Sequence, residues 1–478
     1  MASLKDSSKR ITDERINRPG THSPDFYQLQ NILSQEQASS TPHPPQRLAP
    51  GQAMVHMSTF KDGNGQNCNM NALLEACRHG TVSDVRHLID QGTDVNSKDV
   101  HGRTCILLCS TSLIEPIEKI DFLRSKGGNI QDIDDENNGI FQLACDLGTL
   151  ETVQYLVNIG LDINTKGFRS RSCIMACSQS KTQATDKIEL LRKMGGNILD
   201  TDVKNDNILH LACHSGTLDT VRYLINQGLD INTKGRYGRT CILLCSQSRT
   251  QAIEKIELLI SQGGNICDTE DDNHDMLHLA CMSGTLETVR YMIDLGLDIK
   301  AKCKSGRTPI LHSCSSETQP IEKIELLKLK GGNIYDIDDK NRGILDLACI
   351  SGTLDTVRYL IDLGLDVNTK GINGVTCILK CGASQIQSIE KIELLRSKGG
   401  NIDDRDDDNK SILHIACAFG TLDTVQYLVH LGLDPNSKDK SGNTPVSFML
   451  KSGVQSPKKL KYLISAGAKL SWLERLTF

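Results

Sequence analysis

Aromatic side chains are scarce in this chain. Phe, Tyr and Trp together make up 4% of 478 residues, and the single tryptophan is Trp472. That scarcity fits thin units packed by Leu, Ile, Val and Ala. Neither charge sign dominates: 54 Lys and Arg stand against 59 Asp and Glu, for a net charge of −5. The balance argues against a general nucleic-acid affinity while leaving room for a local patch. No apolar run approaches the roughly 18 residues of a membrane span, so no membrane insertion is expected. No N-terminal signal pattern is visible, and Ala2 excludes the usual myristoylation start. The reading is a soluble intracellular protein, cytoplasmic, with the nucleus as the alternative. Catalytic motifs are missing as well. There is no Gly-rich phosphate loop, no Ser-centred elbow and no HExxH helix. The histidines mostly recur with the repeat described next, which makes them structural first. A non-enzymatic chain with no cofactor is expected.

What the sequence does have is repetition. One 68-residue pattern recurs in six copies whose register runs through Leu73, Phe141, Leu209, Leu277, Leu345 and Leu413 with no insertion or deletion. A fixed period of this kind decides the architecture before any helix is assigned. Each copy has two related halves. In the first, Leu209, Leu211 and Ala212, then Val221, Leu224 and Ile225, mark two short helices with one apolar face each. Gly216 separates them, and Gly228 ends the second, where positive φ is expected. The second half repeats the plan with two extra residues between its helices and a Gly263-Gly264 pair at the end. Residues 1–68 are a different polymer, rich in Ser, Gln, Pro and charge, and read as disordered. One island there, SPDFYQLQNILSQEQ (23–37), reads either as a fluctuating helix or as a docking motif. Residues 69–478 read as the array. Glu75 replaces a buried Leu in the first unit, and lysines 458, 459 and 461 suggest a solvated outer face on the last. The tail with Trp472, Leu473, Leu476 and Phe478 is expected to fold back over the last unit; the alternative is a short recognition tail.

Helix–turn–helix–hairpin in about 33 residues, with LHLA, a central GT, a terminal GLDIN and GRTPI (Gly306 to Ile310), resembles the ankyrin repeat. The resemblance runs from Asn71 nearly to the C-terminus as twelve alternating units. It implies an all-α solenoid of helix–turn–helix units with β-hairpin loops. It also implies a protein-binding scaffold that recognises its partner on the concave face. The departures are systematic. First-type units lack the Thr-Pro opening and carry, for example, Asn207-Ile208. Second-type units mostly replace the Pro with Cys105, Cys173, Cys241 and Cys377. The familiar His survives only as His210, His278 and His414.

Candidate binding residues come from comparing the copies with one another. The central Gly is fixed in every copy and is demanded by the fold. Two positions near the end of the first helix vary freely, so packing does not dictate them. On the concave face that the resemblance implies, Leu147, His214, Met282, Ile350 and Phe419 are the partner-binding candidates, with the apolar members expected to be exposed. Hairpin tips join them: Arg169, Arg236 and Tyr237 belong to the basic first-type tips. Second-type tips are acidic, as in Asp268, Glu270, Asp271 and Asp272, and mutual compensation between stacked tips is expected. No acidic tip has EF-hand spacing. Asn96, Asn164, Asn232, Asn368 and Asn436 end a Leu-x5-Asp-x-Asn pattern resembling the one that asparaginyl hydroxylases modify in ankyrin proteins. Their main expected role is closing the hairpin.

Eighteen cysteines fall mostly into registers too far apart to cross-link, since equivalent residues in successive units lie about 10 Å apart. Pairs such as Cys241 and Cys245 share a helix face, but no second pair lies at CxxC-type spacing, so no metal is expected. Buried core thiols in a reducing compartment are the reading. Cys303, between Lys302 and Lys304 in a tip, is the candidate reactive thiol. The expected molecule is a monomer that holds a protein partner of unspecified identity. The alternatives are an adaptor for a ubiquitin ligase or other modifying complex, and a cytoskeletal or membrane-tethering spacer that exploits a length of roughly 120 Å.

Overall fold

The computed structural model describes residues 66–453 and 456–470. The 23–37 island and the Trp472 tail lie outside them. Among the described residues the chain is an all-helical solenoid in which hairpins close by isolated antiparallel bridges, such as Thr201 with Asn207 and Lys370 with Thr376, rather than by strands.

The third copy shows how the sequence builds a unit. The helix Ile208–Ser215 starts at Asn207, whose side chain accepts from the backbone N–H groups of Leu209 and His210. Such a cap satisfies donors that the first turn leaves orphaned. The helix Leu218–Asn226 starts at Thr217, which accepts from Thr220 N. Gly228 ends it at φ +84°. Gly216 is demanded for another reason, because a Cβ there would lie 2.4 Å from Ser178 O of the preceding unit. Leu209, Leu211, Ala212, Val221 and Leu224 are buried, as their spacing requires. Cys77, Cys145, Cys213, Cys281, Cys349 and Cys417 are free thiols at zero exposure in the same continuous core.

The largest departure from the amphipathic pattern is a lysine. Lys119, Lys187, Lys255, Lys323 and Lys391 recur at the 68-residue period, and every one is fully buried. Lys459, the sixth, is 6% exposed, so the solvated face expected at 458, 459 and 461 is confined to its neighbours. Each reaches back to the C-terminal carbonyls of the preceding unit's first helix. Lys119 Nζ donates to Cys77 O and Gly80 O at 2.9 Å each and to Ser112 Oγ at 2.7 Å. Lys459 donates to Ala416 O at 3.3 Å and Cys417 O at 3.1 Å. A cation at that end meets both unpaired carbonyls and the negative pole of the helix. The lysine therefore bridges units where an apolar side chain would leave buried acceptors.

Candidate partner-binding site

The candidate surface consists of first-helix ends and hairpin tips. At the helix ends, Leu147 is 51% exposed. His214 is half-buried, with Nδ1 2.8 Å from Ser215 Oγ, and burial takes its pKa down to about 4. Met282 is half-buried and packed against the core. The expected exposure of Ile350 and Phe419 is corrected: they are 5% and 7% exposed. Ile350 forms part of a shallow apolar pocket with Ile372, Leu379, Ala383 and Ile415. Phe419 packs edge-on against Phe448 of the next unit, ring centroids 6.4 Å apart. Variation among copies marked these two positions as free of packing. Instead, neighbouring units supply a different partner at each of them.

The tips carry more of the accessible chemistry. Arg236 lies over the Tyr237 ring at 4.4 Å and donates to its hydroxyl at 2.6 Å, while Tyr237 stays 42% exposed. Arg169 lies over Phe168 at 4.8 Å. Arg169 and Tyr237 hold φ of 54° and 57°, in the left-handed region. Burial, then the charges of Arg236 and Arg171, hold the Arg169 pKa below its ordinary value. The charges of Asp202 and Asp206 oppose that effect. Compensation between stacked tips accounts for other basic groups: Arg171 pairs with Asp202 at 3.2 Å, Arg307 with Asp338 at 3.3 Å, and Arg239 with Glu270.

Sequence reading missed Val203, which is 63% exposed. Its N–H donates to Arg169 O at 3.1 Å, which fixes it against the basic tip. The signal was present, since the same register holds Asp135, Asp271, Asp339 and Asp407 elsewhere. The hairpin asparagines Asn96, Asn164, Asn232 and Asn368 are exposed, and Asn436 is half-buried. In all five the backbone N–H donates to the Asp two residues earlier, for instance Asn232 N to Asp230 Oδ1 at 2.9 Å. The hairpin is thus closed mainly by Asp rather than by the Asn side chain. Asn436 adds side-chain bonds to Gly467 O and Lys469 N.

Cys303 is also corrected, since it is 5% exposed and hence not the first thiol to meet a reagent. Cys267 is exposed. The Cys303 Sγ lies 3.2 Å from Ser305 Oγ and 3.7 Å from His312 Nε2. Burial alone would raise its pKa. The facing His274 imidazole and the Ser305 hydroxyl and backbone outweigh that and take it to about 6. Histidine, not Lys302 or Lys304, is therefore the cause.

Known proteins share this architecture. The profile of "Ankyrin repeats (3 copies)" matches overlapping stretches spanning 140–371 and again 380–471. The mouse B-cell lymphoma 3 protein homolog is 29% identical over 231 residues, which is 47% of this chain and 49% of that protein. A probable 26S proteasome regulatory subunit p28 of Saccharomyces cerevisiae is 31% identical over 183 residues, 37% of this chain and 79% of that one. The human transient receptor potential cation channel subfamily A member 1 is 24% identical over 429 residues, 86% of this chain and 35% of the channel. The chain spans about half the length of the mouse relative. Among the described residues no helix is long and apolar enough to cross a membrane. With twelve stacked helix pairs among the described residues, the hairpin bridges and the profile match together, this chain belongs to the ankyrin repeat family, whose arrays serve as protein-interaction scaffolds.

Proposed function

We propose that the chain is a non-enzymatic scaffold that binds an acidic segment of a partner protein across the hairpin tips and first-helix ends of its second and third copies. The observation that carries this reading is the cluster of Arg169, Val203, Arg236 and Tyr237. It joins cationic groups to exposed apolar area on successive tips. An exposed aromatic flanked by arginines is the composition that supplies most binding energy at protein interfaces. The charges would set association rate and salt dependence. Leu147, His214 and Met282 extend the surface along the helix ends. The shallow pocket over Ile350 would receive one apolar side chain. Affinity purification with the full chain as bait, at low and moderate salt, tests the reading. Capture of acidic proteins that elute with salt supports it. A neutral or basic set insensitive to salt would refute it.

A second reading, an adaptor that brings a bound protein to a modifying or degrading complex, is favoured by one finding: the likeness to the yeast protein named as a probable 26S proteasome regulatory subunit. Co-purification of ubiquitin-ligase or proteasome subunits along with the acidic partner would single it out.

A further inference from the structure

Three side chains from three elements meet between consecutive hairpins. His274 comes from the tip that bonds Glu270 N to His274 O, Cys303 from the next tip, and His312 from the helix Pro309–Ser313. Their ligand atoms all lie within 4.8 Å of one another, and Cys303 Sγ is 3.7 Å from His312 Nε2. Two zinc ligands subtending a tetrahedral angle at usual bond lengths stand roughly 3.6 Å apart for sulfur and nitrogen, and about 3.3 Å for two nitrogens. One pair already has that separation, and the widest need close by at most about 1.5 Å. Cys303 and His312 are 5% and 6% exposed, and the His274 side chain is 13% exposed, which leaves an entry path along one edge.

His274 is oriented for such a role. Its Nδ1 faces Glu270 Oε1 at 2.5 Å, while Nε2 is buried with no hydrogen-bond partner. A carboxylate on one ring nitrogen with the other nitrogen turned inward is how metal-bound histidines are held. His278, whose ring is 5.7 Å from both other imidazoles, is committed elsewhere. Its Nε2 is engaged with Ala301 O and Arg307 O, and its Nδ1 with Asp275.

The sibling copies supply an independent argument. The register of His274 holds Asn138, Asp206, Arg342 and Lys410; that of Cys303 holds Asp99, Gly167, Gly235, Gly371 and Asp439; that of His312 holds Leu108, Ala176, Leu244, Lys380 and Phe448. The register of Glu270 is otherwise aspartate, at Asp134, Asp202, Asp338 and Asp406, where the shorter side chain bonds its own hairpin backbone. Four departures thus fall at the one junction between the third and fourth copies and converge on one point. The expectation of no metal rested on CxxC-type spacing, which ligands from positions 274, 303 and 312 escape.

We infer that His274, Cys303 and His312 form a three-ligand site for one Zn²⁺, with Glu270 orienting His274 and a water completing the tetrahedron. Sulfur and imidazole donors in this number suit zinc over magnesium or calcium. The ion would clamp two successive units by their hairpins.

The test uses the full chain, stripped with chelator and titrated with Zn²⁺, and with Co²⁺ as a spectroscopic probe. The variants His274→Asn, Cys303→Gly and His312→Leu each take the residue of a sibling copy, so folding should survive, and unchanged helical circular dichroism confirms it. Expected are one zinc per wild-type chain, a cobalt–thiolate charge-transfer band that vanishes in Cys303→Gly, and a melting temperature that rises with zinc only in the wild type. Glu270→Asp should weaken zinc about tenfold while leaving the melting temperature of the metal-free protein nearly unchanged. Zinc bound equally by wild type and the three variants, or a cobalt spectrum lacking the thiolate band, would overturn the assignment.

Discussion

Replacing Lys323 by Met tests the inter-unit bridge where its parts can be weighed. Lys323 Nζ donates to Gly284 O and Ser316 Oγ at 2.7 Å each and to Thr318 Oγ1 at 3.1 Å, with Cys281 O at 3.5 Å. Methionine fills the volume but removes the two N–H donors that even a neutral amine keeps, leaving about two acceptors under-satisfied at about 2 kcal/mol each, or about 4 kcal/mol against a neutral lysine. The lysine at pH 7 is not neutral. Burial lowers its pKa from 10.5 to about 8, so holding it charged in the fold costs about 3 kcal/mol. The net loss at pH 7 is therefore about 1 kcal/mol. Between pH 8 and 10.5 the unfolded lysine keeps its proton while the folded one has lost it. The unfolded state then binds more protons, and stability contributed by this group rises with pH. The cost of the substitution should accordingly grow from about 1 to about 4 kcal/mol across that window. Native-state hydrogen exchange in the helices Met276–Ser283 and Pro320–Leu329 reads the local free energy, which suits an array that need not unfold as one unit. The difference between variant and wild type cancels the thiols that titrate in the same range. A Met variant equal to or more stable than wild type at pH 7, or a cost that shrinks toward pH 10, would refute the bridge.

Gly216→Ala should lower stability by about 3 kcal/mol, because the added carbon meets Ser178 O at 2.4 Å; Gly343→Asn, in open space at a helix cap, should be near neutral, and chemical denaturation compares the two. His414 is buried with Nε2 against Asn443 O, and burial lowers its pKa. Its folded form is held neutral, so the stability it contributes is present above about pH 6.5 and lost as pH falls through the lower folded value. His414→Gln, which copies Gln142, should flatten the stability profile in that acid range.

The fold was legible because its information is periodic. Six copies in one register showed the helix faces, the fixed Gly216 and the Gly228 turn. Three things were not legible from helical spacing. The Lys119 series reads as part of a solvated stripe until one asks why a lysine is fixed in every copy; its partners are carbonyls, which leave no trace in side-chain sequence. Ile350 and Phe419 vary among copies, yet variation excludes only a common packing partner, and each packs against a residue peculiar to its neighbour. The tip cluster depends on single departures, Val203 for Asp and Glu270 for Asp, whose meaning appears only when stacking places adjacent hairpins together. The same rule, asking where one copy breaks from its siblings, would have exposed both.

The most direct measurement compares the affinity of the captured partner for wild-type protein and for two multiple variants. The first carries Arg169→Asn, Val203→Asp and Tyr237→Asn. Each takes the residue found at the same register elsewhere, Asn373 or Asp271, so the tips keep their geometry. The second carries Arg222→Ala and Arg290→Ala, both exposed on second helices. The proposed surface predicts at least about tenfold weaker binding for the first, about 1.4 kcal/mol or more, with the unfolding midpoint unchanged and the salt dependence reduced. It predicts nearly wild-type affinity for the second. Loss of binding in the second variant with full retention in the first would place the partner on the opposite side of the solenoid and contradict the account.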